Sequence, residues 1–279
     1  MFSPEGTYPA AGIFSAGHLI ALAVCIVVII LAEIFLSKIS LRSLRHLTRA
    51  MAGIVTVLEI IKIVYKFRIC GYKPGDLDQW IPLYFCSLFI YYAWFSAFDG
   101  PLAVLGDAFI SIGAITGGAA FLIYPATSVA SVPIWHFLSL HSMLFHTFMV
   151  TLGILYIRRG LFVPSRRTFH AYLASFLLFA LPALLLNLLA GTNTMMLTHP
   201  YNMPAIVDAI YNFSHSLYTL LVACVYIFVP YGVSVGIYQL VALIRKKFPA
   251  ADTPDGNRDS AHETADTCTD GEEVPTPSH

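Results

Sequence analysis

Residues 133–157 read PIWHFLSLHSMLFHTFMVTLGILYI. They contain no Asp, Glu, Lys or Arg, and their 25 residues exceed the ~20 that an α-helix needs to cross a bilayer. The stretch reads as a membrane-spanning helix. Three histidines interrupt it, at His136, His141 and His146. Ionisable side chains at such depth are rare, and they face a bundle interior or a wet cavity. Imidazole titrates near neutral pH, so it can serve there as acid, base or ligand.

The rest of the 279-residue chain agrees with a membrane setting. It is 57% hydrophobic and 11% charged, with a mean hydropathy of +0.73, where a soluble domain carries about 25% charged residues. Seven spans are predicted, at 13–36, 50–69, 81–98, 102–123, 133–157, 169–190 and 209–242. The fold class is therefore all-α, a seven-helix transmembrane bundle occupying residues 1–249. Pro82 at the start of the third span suits a helix N-terminus, and Pro230 in the last predicts a kink or an interfacial continuation. The formal net charge of zero gives no support to a nucleic-acid partner.

Lys and Arg set the orientation. Lys38, Arg42, Arg45 and Arg49 follow the first span, Arg158, Arg159, Arg166 and Arg167 the fifth, and Arg245, Lys246 and Lys247 the last. On a seven-span count these segments share one face, which predicts an outside N-terminus and a cytoplasmic C-terminus. The opening MFSPEGTYPAAG has no basic leader, so the first apolar run is expected to remain as a helix. Residues 250–279 turn to Asp, Glu, Thr, Pro, Gly and Ser, a composition expected to form a disordered acidic tail. The cysteines are scattered without metal-like spacing, and Cys25 and Cys224 read as packing residues.

Depth then singles out candidate chemistry. His141 lies on the order of 12 Å below the outer end of its span, and Cys86 roughly 8 Å below the end of the third. A thiol beside an imidazole is the minimal activated nucleophile; a lone cysteine in an apolar helix is more often a packing residue. The i, i+5, i+10 spacing of the three histidines puts them on different helix faces and disfavours a metal site. His136 and His146 are open to simple hydrogen bonding within the bundle. In the loop AGTNTMMLTHPYNMP, Thr192, Asn193 and Thr194 can cap helices or donate to an oxyanion. Asn212 and His215 form a further polar cluster near the same level, Glu59 and Lys62 an i, i+3 pair within the second span, and Asp107 a partner for backbone or water at the cytoplasmic side.

Three motifs carry a family resemblance. IPLYFCSLF resembles the "LPLHLCS" helix of the YwaF-like bacterial integral membrane proteins. GGAAFLIYP, followed by the helix holding LSLHS, looks like that family's glycine–proline turn and "LSH" helix, and GTNTMML is similar to its "GTNYMYL". The resemblance covers roughly residues 50–230. Eukaryotic relatives of that family move fatty acyl chains onto ether lysophospholipids, with a membrane-buried cysteine and histidine as the catalytic pair. The resemblance implies Cys86 and His141 in those roles, with Asn193 in the third motif. The chain departs from the pattern at Tyr84, where bacterial members often have histidine, and in the additional His136 and His146.

The expected function is a membrane-embedded lipid acyl-transfer enzyme, a transferase or hydrolase, using Cys86, His141 and Asn193 near the outer leaflet. It needs no cofactor and no metal. Its partners would be phospholipids or lysophospholipids of the bilayer, and its location a cell membrane, bacterial by resemblance. The alternative is a carrier or a lipid- or partner-binding scaffold whose polar cluster is a pocket.

Overall fold

The computed structural model describes residues 1–98, 100–201 and 205–247. The acidic tail predicted for 250–279 lies outside the described residues. The chain divides into two units, Met1–Ala242 and Leu243–His279, and the first holds the architecture that positions the site. Among the described residues all regular structure is helical: α1 Ala16–Phe35, α2 Leu41–Arg68, α3 Leu88–Ala97, α4 Pro101–Phe109, α5 Ile115–Ile123, α6 Phe137–Arg158, α7 Arg166–Ala190, α8 Ala205–Phe213 and α9 His215–Lys247. Among the described residues five helical runs are long and apolar enough to cross a membrane: α1, Pro101–Ile123, α6, α7 and α9.

Local chemistry sets many of the boundaries. Ser15, Ser40 and Ser165 cap α1, α2 and α7 by accepting a backbone N–H three residues on. His136 caps α6 through Nδ1, which accepts from Leu138 N, two residues on, at 3.2 Å. Gly191 closes α7 at φ 66°, a conformation that glycine adopts without strain.

Two expectations need correction, and the fourth span, borne out in its bounds, has an internal turn that the sequence does not show. The third span does not become helical at Pro82; α3 starts at Leu88. Residues 81–87 form turns, because Phe85 stacks on Tyr226 of α9 with ring centroids 4.5 Å apart while the Cys86 thiol reaches α5. Tertiary contacts override the apolar run there. The fourth span is one rod in three parts, in which a π-helical turn, Ile110–Ala114, joins α4 to α5. Such wide turns free a carbonyl for other partners, and Ser111 O accepts from Ser234 Oγ of α9 at 2.8 Å. In the last span the helix runs unbroken through Pro230, and the interruption falls at Ser214, between α8 and α9.

Helices α2 and α6 run antiparallel along a seam with three polar rungs. Tyr65 meets His136 at 3.0 Å, Glu59 faces His141 at 3.8 Å, and Thr48 meets Tyr156 at 2.8 Å. Within lipid there is little hydrophobic drive between helices, so close approach and packing must hold them. Glycines allow that approach. A Cβ on Gly106 of α4 would lie 2.5 Å from Ser96 N and 2.7 Å from Tyr92 O of α3. One on Gly118 of α5 would lie 2.7 Å from Val150 Cγ2 and 2.9 Å from His146 O of α6. Around these contacts Phe89, Tyr92, Phe109, Leu152, Tyr172 and Phe176 form the buried core.

Candidate functional site

His141 lies on the first turns of α6 and is 6% exposed. The rings of Phe137 and Phe145 lie one helical turn to either side, with centroids 5.8 Å and 6.0 Å away. Its Nε2 is 3.8 Å from Glu59 Oε2 on α2. Glu59 is equally buried, and its other oxygen pairs with Lys62 Nζ at 2.6 Å. A carboxylate withdrawn from water needs such a partner. The i, i+3 pair expected from the sequence is therefore formed, and a histidine stands against it.

Neither ring nitrogen of His141 has a hydrogen-bond partner among the described residues. The two neighbouring histidines differ. His136 Nε2 bonds the Ser3 carbonyl at 3.0 Å while its Nδ1 caps α6. His146 Nδ1 donates to Ser142 O at 2.6 Å, and its ring stacks on Phe121 with centroids 3.7 Å apart. Hydrogen bonding within the bundle, the simpler reading of His136 and His146, describes both. His141 is set apart as a base with unused capacity. Thr116 Oγ1, Ser139 Oγ and His146 Nε2 are likewise buried without a partner among the described residues. Such a concentration on α5 and α6 is unusual, because buried polar groups are nearly always satisfied.

Cys86 occupies the turn that leads into α3. Its thiol donates to Gly117 O of α5 at 3.7 Å. Among the described residues the backbone N–H groups of Tyr84, Phe85, Cys86 and Ser87 donate to no acceptor, as expected just before a helix whose first turn has no internal partners. Cys86 stands three residues before Phe89, whose ring meets Phe145 edge-on at 5.8 Å. His141 stands four residues before Phe145. Among the described residues no hydrogen bond joins Cys86 to His141: the thiol bonds α5, and the imidazole Nε2 faces Glu59 of α2.

The hydrogen bonds of the Asn193 side chain stay within its own loop. Its Nδ2 donates to His199 O at 2.8 Å, and its Oδ1 accepts from Thr198 Oγ1 at 2.9 Å. The loop is anchored by a residue the sequence reading passed over, Asn187. Asn187 Oδ1 accepts from Thr192 Oγ1, Thr194 N and Thr194 Oγ1 at 2.7–2.8 Å, and Nδ2 donates to Thr194 O at 3.0 Å. An asparagine inside PALLLNLLAG was the available signal. This cradle holds Met195 and Met196 at φ 56° and 53°, values unfavourable for side chains. Tyr226 OH donates to Met195 O at 3.1 Å, and its ring stacks on Phe85. Through Tyr226 the GTNTMML loop thus braces the Cys86 turn.

Two expected cluster members are elsewhere. Asn212 and His215 are exposed, and His215 stacks on Tyr211. Asp107 pairs through both oxygens with the Arg45 side chain at 2.5 Å and 2.7 Å. In the sequence Arg45 stands out only as one of four basic residues after the first span.

The family model described as TMEM164 family matches residues 13–230. No curated protein and no solved structure matches the chain.

Proposed function

This chain belongs to the TMEM164 family, a family of membrane proteins, and on the geometry of its buried site we propose that it is a membrane-embedded enzyme transferring acyl groups from lipid esters. The observation that carries the reading is His141, buried, unbonded at both ring nitrogens and set against a carboxylate. In the turn before α3, three residues ahead of Phe89, stands a thiol amid four backbone N–H groups that have no acceptor among the described residues.

In this reading α2 and the segment containing α3 complete a seven-span bundle with the five apolar helices, the N-terminus outside and the basic loops inside the cell. Cys86 and His141 then lie below the outer surface, near the level of lipid ester carbonyls. The Cys86 thiol gives its proton to His141, and the thiolate attacks the carbonyl carbon of a phospholipid ester. N–H groups of the turn before α3 donate to the oxyanion, each contributing about 3 kcal/mol, and the positive end of the helix dipole favours the thiolate. Because the Asn193 amide is engaged in its loop, the backbone takes the donor role in this scheme. Collapse breaks the ester C–O bond, and the imidazolium protonates the departing lysolipid oxygen. A second lipid hydroxyl, or water, then loses its proton to His141 and attacks the thioester, which restores the thiol.

The test is intact-protein mass spectrometry after incubation with a p-nitrophenyl fatty-acyl ester in lipid nanodiscs. The expected result is one acyl mass added to wild type, absent in Cys86→Ser and slowed strongly in His141→Gln. Equal labelling of wild type and Cys86→Ser, or no acyl adduct and no turnover of labelled phospholipids, would favour the carrier or scaffold reading.

A further inference from the structure

We infer that Glu59 is the positioning residue for His141: its carboxylate accepts the Nε2–H of the imidazole, fixes that tautomer and leaves the lone pair on Nδ1. As a statement about catalysis this rests on the acyl-transfer reading above, but the tautomer itself does not. Three observations on the α2–α6 seam support it. Glu59 Oε2 faces Nε2 at 3.8 Å, one small side-chain rotation from hydrogen-bonding distance. Glu59 Oε1 is held by Lys62 at 2.6 Å, which leaves Oε2 to face the imidazole. Phe137 and Phe145 fence the ring on its own helix.

His146 supplies an internal contrast. Its Nδ1–H is satisfied by the carbonyl of the preceding turn, the usual resource of a helical histidine. His141 Nδ1 makes no such bond. Its orientation therefore has to come from the carboxylate across the seam. A carboxylate behind an imidazole is also the arrangement that selects the tautomer of a general base and stabilises the imidazolium formed when the base takes a proton. The charged or titratable groups around His141 are Glu59, Lys62 and Lys66 on α2 and His146 on α6. Lys62 and Lys66 oppose a positive charge on His141, so Glu59 is the group that makes protonation tolerable.

The experiment is ¹⁵N NMR of histidine-labelled full-length protein in nanodiscs, with the His141 signals identified from His141→Gln. Wild type is expected to show a single Nε2–H tautomer. Glu59→Gln should mix the tautomers, and Glu59→Asp should restore the wild-type pattern. His136, fixed by Ser3 and Leu138, should be unchanged throughout and reports an intact fold. Unchanged His141 signals in Glu59→Gln, with His136 also unchanged, would overturn the inference.

A kinetic arm separates this from the function. Cys86 acylation by the p-nitrophenyl ester should fall about 10²-fold in Glu59→Gln, with an altered pH profile, and recover in Glu59→Asp. If wild type forms no acyl adduct while the tautomers still respond to Glu59, the acyl-transfer reading fails and the positioning contact stands.

Discussion

The α2–α6 seam has two polar ends that solve the same problem in opposite ways. At one end Arg45 bonds both oxygens of Asp107 and also Ser96 O and Oγ, at 2.8 Å and 2.6 Å. Ser96 Oγ meets Tyr156 OH at 2.6 Å, and Tyr156 meets Thr48 at 2.8 Å. Four helices, α2, α3, α4 and α6, are tied there by groups that each have partners. Toward the other end His141, Ser139, Thr116 and His146 keep buried polar atoms without partners among the described residues. A satisfied network fixes a structure. An unsatisfied one costs stability and is retained where it has work to do, with substrate or water supplying the missing bonds. On the proposed function, one end is the clamp and the other the site.

The sharpest break between the two is at the nucleophile. Cys86→Ser should lower acyl transfer at least ~10³-fold while thermal unfolding in detergent shifts by only about 1 kcal/mol. A matching loss of stability would make Cys86 a packing residue instead. The converse applies at the clamp. Asp107→Asn leaves the Arg45 guanidinium without its counter-charge and should cost roughly 3 kcal/mol, whereas Arg45→Met with Asp107→Leu should cost less, since no charge is then stranded. Chemical denaturation of the three proteins in one detergent measures both. A single variant as stable as wild type would remove the clamp assignment.

Smaller effects sharpen the boundary between site and scaffold. Asn187→Ala removes four hydrogen bonds inside the GTNTMML cradle and should cost about 2 kcal/mol, with proteolysis appearing first near Met195. If the loop braces the Cys86 turn through Tyr226, acyl transfer should weaken in parallel. Asn193→Ala removes only contacts within the loop and should cost about 1 kcal/mol, with less than a tenfold change in rate. A 10²-fold loss of rate at unchanged stability would instead return Asn193 to the oxyanion role that the motif resemblance implies.

How much of this is legible from residues alone varies with the range of the interaction. The helical spans and their serine caps follow from short-range chemistry, because twenty apolar residues in lipid must satisfy their backbone within the helix. The Glu59–Lys62 pair was equally visible, being one turn apart. The clamp was not. Arg45 and Asp107 are 62 positions apart, and a count of basic residues places Arg45 at an interface without saying what it grips. The start of α3 misled for a related reason: Pro82 and the apolar residues after it suit a helix, but Phe85 on Tyr226 and Cys86 on Gly117 hold the turn open.

By itself the sequence determined a membrane protein built of helices, the helix that carries His141, and the residue types able to do nucleophilic chemistry. These depend on composition and on periodicity within single segments. Only the tertiary structure decided which of three histidines is left unbonded, that Glu59 rather than a loop residue faces it, and that Asn193 is spent on its own loop. The physical reason is that a helix dictates its own backbone hydrogen bonds, whereas a side chain's partners across a bundle depend on rotation and register. Those are set by Gly106, Gly118 and the aromatic core acting together.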